Sequence, residues 1–323
     1  MQRWLKQYGA VSRNCLVVAL GSPFALIMLV AILVVEVILT CLPFFTFGDQ
    51  LRLIRDQSLA LCLIGGCLTC ALGACQLVVD DIRRGAVPVM MSRPLSPICL
   101  VLGKWTGLTG AVLLILFNAS IACLWLTRIG AHSEFLNVPA LAQYILAVLV
   151  PVLVVGVRHY LVGGCYPLQA CTAISICFPL VFFAHVLLAA GGIGGAGVDW
   201  GTGAACLMTA FAMVSYSGIM VLLGVAADSG LVMGLGILVF FCGVLSEYVI
   251  RVVAGGGWLA SVLRALVPNW QLFWMADALA AGKKIPTAYV VLGGFYVMLV
   301  IGFLGLVAVV LFWNREVGGQ MRV

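Results

Sequence analysis

The sequence predicts an all-α fold, a polytopic transmembrane helical bundle of about eight spans with both termini in the cytoplasm. Of the 323 residues, 64% are hydrophobic and 9% are charged, whereas soluble domains average about 45–50% apolar and about 25% charged residues. The charges form short clusters between long apolar runs, and no polar stretch is long enough for a separate soluble domain. We therefore expect one transmembrane domain over residues 1–323.

A helix needs about 20 apolar residues to cross the hydrocarbon core of a bilayer. Eight runs meet or approach that length, at residues 22–45, 57–79, 104–127, 140–157, 170–192, 204–226, 230–250 and 286–313. The first run follows Arg3, Lys6 and Arg13 as in a signal peptide, but it is about twice the usual apolar length and has no cleavage site after it. We expect it to be an uncleaved first span.

Basic residues predict the orientation, because cytoplasmic loops of membrane proteins carry an excess of Lys and Arg. A cytoplasmic N-terminus places more of the basic residues inside than outside, including those of segment 80–97. The connection 251–285 is then on the outer side. Its tryptophans predict two short amphipathic helices in, or dipping into, the outer interface, with an ordinary loop as the alternative.

Motifs for catalysis, metal binding or ATP binding are missing from the sequence. The 13 cysteines lie mostly inside apolar runs, where a thiol is a small packing group. No histidine has a second ligand at metal-binding spacing. Gly103-Lys104 lacks the upstream glycine of a phosphate-binding loop, since residue 98 is Ile98. We expect no enzyme activity, no catalytic residue, no metal and no cofactor in this chain.

The net charge of +6 is dispersed among short clusters rather than along one face. A basic protein that binds nucleic acid concentrates its Lys and Arg residues on one surface. Membrane lipid is therefore an expected partner of this chain, and nucleic acid is not.

Glu36 is an isolated charge within the first span. An acidic side chain deep in a membrane costs on the order of 2.5–3.5 kcal/mol on insertion scales, so we expect it to face the bundle interior or a cavity. It is a candidate for the translocation path, and a structural hydrogen bond or a position nearer the interface are the alternatives.

Segment 80–97 combines basic, acidic and exposed apolar residues between the second and third spans. Asp81, Arg83 and Arg84 precede an apolar group that includes Met90 and Met91, and Ser92, Arg93 and Pro94 close it. Such an amphipathic element on the positive side suits docking to a cytoplasmic protein. A solvated loop with topology charges would explain the arginines but not the Val-Met group.

These residues resemble the permease family of type-two ABC exporters. The matching positions of the segment are Asp80, Asp81, Arg83, Arg84, Gly85, Met90, Met91, Ser92, Arg93, Pro94, Gly103 and Lys104. Residues 267–273, 276–279, 285–286 and 314–317 are also similar to bacterial members, and the likeness does not extend to about 128–203.

The resemblance implies that residues 80–97 are the coupling element for a separate ABC ATPase subunit, present in two copies that carry the ATP and Mg²⁺. It also implies a second permease subunit, either an identical copy or a paralogue, and a location in the bacterial inner membrane. The family core has six spans, so 140–157 and 170–192 would be an extra pair.

Three functions follow from these observations. The first is an ATP-driven exporter permease. The second is a secondary transporter or channel that needs no ATPase, although inverted repeats and further intramembrane charges are missing. The third is a polytopic membrane enzyme or scaffold.

Overall fold

A computed structural model of the chain describes residues 2–42, 50–84, 96–131, 137–189, 198–254 and 269–319. Over these ranges the chain is helical and has no β-strand. Eight of the described helices are long and apolar enough to cross a membrane. The predicted all-α polytopic bundle of eight spans is confirmed, while the side on which the termini lie stays a prediction.

Each expected span overlaps one of these helices, in the same order. They are α2 (Pro23–Cys41), α3 (Gln50–Arg83), α4 (Pro97–Ala131), α5 (Val138–Val162), α6 (Tyr166–Ala189), α7 (Trp200–Ala226), α8 (Ser229–Ala254) and α10 (Thr287–Gly319). Helix α1 (Gln2–Leu20) precedes them and is not one of the spanning helices, and α9 (Ala276–Ala280) is a short helix before α10.

Several spans begin at a residue whose side chain caps the helix. Ser22, Asn137 and Asp199 precede α2, α5 and α7, and each accepts a hydrogen bond from a backbone N–H of the first turn. Such a cap satisfies a donor that has no partner within the helix. Pro23 also occupies the first position of α2, where a missing N–H costs nothing.

Helices α3, α4 and α7 form the centre of the bundle. The most apolar window is 72% buried in α3, 72% in α4 and 61% in α7, against 11% in α10. Close contacts at glycine make this packing possible, since Gly66 of α3 contacts Met213 of α7 and Gly73 of α3 contacts Leu108 of α4. The outer helices present large apolar side chains at the surface, as expected for lipid contact.

Helix α1 packs lengthwise along the first half of α4. A Cβ added at Gly107 would lie 2.8 Å from the Ser12 carbonyl oxygen and 2.9 Å from the Leu16 nitrogen. The Thr106 hydroxyl also donates to the Ser12 hydroxyl at 3.0 Å. The basic residues near the N-terminus indicated only the orientation of the first span, and this helix was not predicted from the sequence.

Helices α5 and α6, the predicted extra pair, pack on each other and against α2 and α4. An aromatic cluster fills the contact, with Trp125 against Tyr144, Phe178 and Phe182 at ring-centroid distances of 5.3 to 5.7 Å. Trp125 is fully buried, so an interface preference does not explain its position near a span end.

Only part of the predicted interfacial segment 251–285 is described, because 255–268 lie outside the described residues. Helix α8 continues to Ala254, and a 3₁₀ turn follows at Trp270–Phe273. Trp270 and Phe273 are each 3% exposed, and the Trp270 ring lies 5.9 Å from that of Tyr216. Trp270 and Phe273 therefore insert into the bundle, whereas residues 281–284 of the segment are exposed.

Candidate coupling site and membrane groove

The end of α3 and the start of α4 meet at an ion pair whose lysine is buried and whose aspartate side chain is 32% exposed. Lys104 Nζ lies 2.6 Å from Asp81 Oδ2 and donates to the Leu77 carbonyl at 2.5 Å. Lys104 is 4% exposed. Leu77 belongs to a π-helical turn, Cys75–Val79, and such turns interrupt the regular pattern of backbone hydrogen bonds. Helices α3 and α4 are thus tied together beside the linker between them.

A second contact joins this end of α3 to the short turn between α7 and α8. Arg83 lies 3.4 Å from Asp228, and Arg84 lies 3.7 Å from Asp80. All four side chains are substantially exposed, so each pair adds little to stability. The Arg83–Asp228 pair shows that the end of α3 and the start of α4 lie beside the end of α7 and the start of α8. We name this place, with Arg83, Lys104 and Asp228, the linker end of the bundle.

The predicted coupling residues divide into two groups. Asp81, Arg83 and Arg84 lie at the linker end, and Asp81 holds Lys104, another position of the family-like motif. Met90, Met91, Ser92, Arg93 and Pro94 fall in 85–95, outside the described residues. Their role as an ATPase contact stays a prediction.

Cys15 of α1 lies beside the Lys104–Asp81 pair. Burial raises the pKa of the Cys15 thiol to about 11, with Lys104 lowering it and Asp81 raising it in smaller measure. At neutral pH the thiol is therefore protonated and acts as a packing group. This agrees with the interpretation of the cysteines as packing residues.

Glu36 is 1% exposed, and neither carboxylate oxygen has a hydrogen-bond partner among the described residues. Cys62, Cys123 and Tyr144 are near enough to interact with it electrostatically. The Tyr144 hydroxyl instead donates to the Leu33 carbonyl at 3.1 Å. Glu36 thus faces the bundle interior, as predicted, but no described group forms the structural hydrogen bond considered as its alternative.

A groove of about 800 Å³ opens between α3 and α8, with Trp270–Phe273 and α9 at one end. The α3 lining includes Ala60, Ile64, Cys67 and Ala71, a spacing that follows one helix face. Cys62, which is near Glu36, lies on the opposite face of α3. Glu36 is therefore separated from this groove by α3, and its part in a transport path stays a prediction.

The other end of α3 carries a network that the sequence analysis did not single out. Arg55 donates through Nη2 to Asp199 Oδ2 at 2.5 Å and through Nε to the Thr202 hydroxyl at 3.0 Å. Asp199 also caps α7. We name this end, with Arg55 and Asp199, the Arg55 end. The charged residues at two predicted span ends were a signal, but nothing in the sequence paired them.

Within the described ranges, no three His, Cys, Asp or Glu residues are arranged to hold a metal ion. The expectation that the chain has no cofactor or catalytic residue stays a prediction.

No protein-family model matches the chain, and a search of curated proteins gives no match. The likeness to ABC exporter permeases therefore depends on the motif residues alone.

Proposed function

We propose that this multi-pass membrane protein is the permease subunit of an ATP-driven exporter of the bacterial inner membrane. In this proposal a separate ATPase subunit, in two copies, binds segment 80–97, and two permease subunits pair around the path of the substrate. The proposal rests on the family-like motif that surrounds the linker between α3 and α4.

The observation that carries the proposal is the way in which the linker is anchored. Lys104 near the start of α4 is bound by Asp81 and Leu77 of α3. Val78 of α3 packs against Gly224 of α7, and the Cys75 thiol of α3 donates to the Ser229 carbonyl of α8 at 3.7 Å. A force on the linker would therefore reach α3, α4, α7 and α8 at once. An element that transmits mechanical work needs this kind of attachment.

The energy of the Lys104–Asp81 pair supports the same interpretation. Removing one partner of a fully buried ion pair costs about 3–5 kcal/mol, and the cost here lies at the lower end of that range because the Asp81 side chain is 32% exposed. Movement of the linker would thus carry α3 and α4 as one unit, since sliding them apart would break the pair. Rigid-body movement of this type underlies many switching transitions.

Copurification tests the proposal directly. The tagged chain is purified from the membranes of its own host. The purified sample, with any proteins that copurify, is then photolabelled with azido-ATP. We expect an ATP-binding protein to copurify and to hydrolyse ATP. Met90→Asp and Arg93→Glu should each abolish its association while membrane insertion and yield are unchanged. Lys283→Glu, an exposed charge reversal outside the segment, is the matched control. Unchanged association in both linker variants would refute the coupling role.

Topology gives a second test, independent of any partner. Cys165 is exposed in the short turn between α5 and α6, and the predicted orientation places it in the cytoplasm with segment 80–97. A variant that retains Cys165 as its only cysteine should react with a membrane-impermeant maleimide in inside-out vesicles and not in intact cells. The reverse result would place the linker outside and exclude ATPase docking.

The purified chain distinguishes this proposal from a companion-free transporter or channel. In liposomes without an ATPase we expect no solute movement above that of empty liposomes. Solute flux through the chain alone would favour the transporter or channel.

A further inference from the structure

The groove between α3 and α8 has the depth of one bilayer leaflet. Its lining runs from Ala60 to Ala71 on α3 and from Met233 to Val244 on α8. At a rise of about 1.5 Å per residue each wall is about 16 Å long. The hydrocarbon core of a bilayer is about 30 Å thick, so one leaflet contributes about half of that.

The long walls of the groove are apolar and open sideways. Ile64 and Leu68 of α3 are 49% and 38% exposed, and Ile237 and Phe241 of α8 are 50% and 56% exposed. All four line the groove. A molecule dissolved in the bilayer could therefore enter between the two helices without crossing water.

One end of the groove is polar and acidic. Gln271, Trp274 and Asp277 lie there, and Asp277 is the only charged residue among the described lining residues. The Gln271 amide nitrogen donates to the Val244 carbonyl at 2.9 Å, which fixes this end to the end of the α8 wall. The polar residues thus occupy the position that a head group takes in a leaflet.

The Asp277 carboxylate has no ion-pair partner among the described residues. Arg52 instead lies 3.7 Å from Asp56, and Arg55 is bound to Asp199. A carboxylate and an indole ring that line the same end of a groove are a combination that can recognise an ammonium group, because the ring face also attracts a cation. An anionic head group would be repelled at the same place.

We propose that this groove binds an amphiphile with one apolar chain and a cationic head group, taken laterally from the leaflet at the Arg55 end. The chain would lie along α3 and α8, and the head group would contact Asp277 and Trp274. The volume of about 800 Å³ falls within the range of about 300–1,000 Å³ of small-molecule sites. As the substrate class of the exporter, this assignment rests on the proposed function.

Binding is measured on the purified full chain in phosphatidylcholine nanodiscs, without ATP or an ATPase. The probe is an alkyltrimethylammonium whose chain carries a nitroxide, which quenches tryptophan fluorescence at short range. The matched probe is the alkyl sulfate with the same labelled chain. We expect saturable quenching by the ammonium probe and at least about tenfold weaker binding of the sulfate, because one favourable ionic contact is replaced by a repulsion.

Two kinds of variant locate the binding site. Asp277→Asn should weaken binding of the ammonium probe by about tenfold, whereas Asp80→Asn, which removes a carboxylate at the linker end, should leave it unchanged. Ile64→Phe with Ile237→Phe narrows the side opening at two half-exposed positions and should reduce saturable quenching without disturbing the core.

Equal quenching by the two probes, or unchanged binding in Asp277→Asn, would overturn the assignment, since the groove would then be ordinary lipid-facing surface. Absence of saturable quenching together with cross-linking between copies through Leu68→Cys would also overturn it, with a second copy filling the groove. Either outcome leaves the ATPase copurification unaffected, so a failure of this inference is distinct from a failure of the proposed function.

Discussion

At the linker end, the side chains of the Lys104–Asp81 pair are 6% and 32% exposed, and at the Arg55 end those of the Arg55–Asp199 pair are 14% and 42% exposed. The linker end also has α1 pressed against the backbone of α4. The Arg55 half instead contains Glu36, a buried carboxylate without a partner in the described chain, and the polar end of the groove.

The difference indicates that the two halves of α3 are held with unequal firmness. The linker half combines the Lys104–Asp81 pair, which resists sliding of α3 against α4, with close packing of α1 on the backbone of α4. In the Arg55 half, the Asp199 carboxylate is partly in water, and the buried Glu36 carboxylate has no hydrogen-bond partner among the described residues. We infer that a displacement of α3 would change the contacts of the Arg55 half more readily than those of the linker half.

The largest expected effect tests the buried pair. Asp81→Asn leaves Lys104 buried without a counter-charge and should lower the free energy of unfolding by about 3 kcal/mol. Asp80→Asn removes an exposed carboxylate two-fifths accessible to solvent and should cost well under about 1 kcal/mol. Thermal unfolding in one detergent compares them, and Asp81→Leu with Lys104→Met should recover most of the loss. Equal losses in Asp81→Asn and Asp80→Asn would show that the Lys104–Asp81 pair stabilises the linker end no more than an exposed pair does. The contrast with the Arg55 end would then have no energetic basis.

The contact between α1 and α4 predicts the next effect. Gly107→Ala should destabilise the protein by about 1–3 kcal/mol, because the added methyl group meets backbone atoms of α1. Gly9→Ala is the control, since nothing lies within 4 Å of a Cβ at Gly9. Thermal unfolding again gives the comparison, and an unchanged midpoint in Gly107→Ala would show that α1 is not tightly held.

Substitution of Glu36 should raise the free energy of unfolding, whereas the substitutions above lower it. Glu36→Leu removes a buried group without hydrogen bonds and should raise the free energy of unfolding by about 1–3 kcal/mol. If Glu36 serves transport, the same variant should lose ATP-driven transport while gaining stability. A loss of stability in Glu36→Leu would mean that the carboxylate has a partner, and the contrast between the two halves of α3 would weaken.

The Arg55 network predicts the smallest effect. Arg55→Met should cost about 1 kcal/mol or less, since Asp199 remains partly in water. Its effect should also shrink as the salt concentration rises, whereas that of Asp81→Asn should change little, because buried pairs are screened less. Unfolding midpoints at low and high salt measure this. The same salt dependence for both variants would show that the two ion pairs are equally screened by solvent.

The spans could be predicted from sequence because burial in lipid imposes a single requirement, about 20 apolar residues in a row. Helix α1 was not predicted, because its apolar residues are interrupted by Arg3, Lys6 and Arg13 and do not form such a run. Glycines at helical spacing differ in what lies opposite them. Gly66, Gly73, Gly103 and Gly107 make close contacts, but Gly230, Gly234 and Gly302 have nothing within 4 Å. Spacing shows which glycines share a face and not what the face meets.

Site residues that are close together in the sequence could be predicted. Site residues that are distant in the sequence and meet only in the folded chain could not. Asp81 and Arg83 belong to a local motif, and Glu36 stands out in an apolar run. The Lys104–Asp81 pair, the Arg83–Asp228 pair and the Arg55–Asp199 pair each join residues that are distant in the chain. Asp277 belongs to the family-like stretch 276–279, but its place in a groove with α8 and Trp270 is seen only in the structure. Charge type can be read from sequence, but pairing requires the packing.

The position of α1 has a practical consequence for following motion in this protein. Because α1 lies against the backbone of α4 at Gly107, a reporter on its outer surface should travel with α4. Gly9 faces open space on that surface, so a spin label at this position could be paired with one at Asp228. The distance between the two labels would follow the separation of the first half of α4 from the α7–α8 turn during a working cycle.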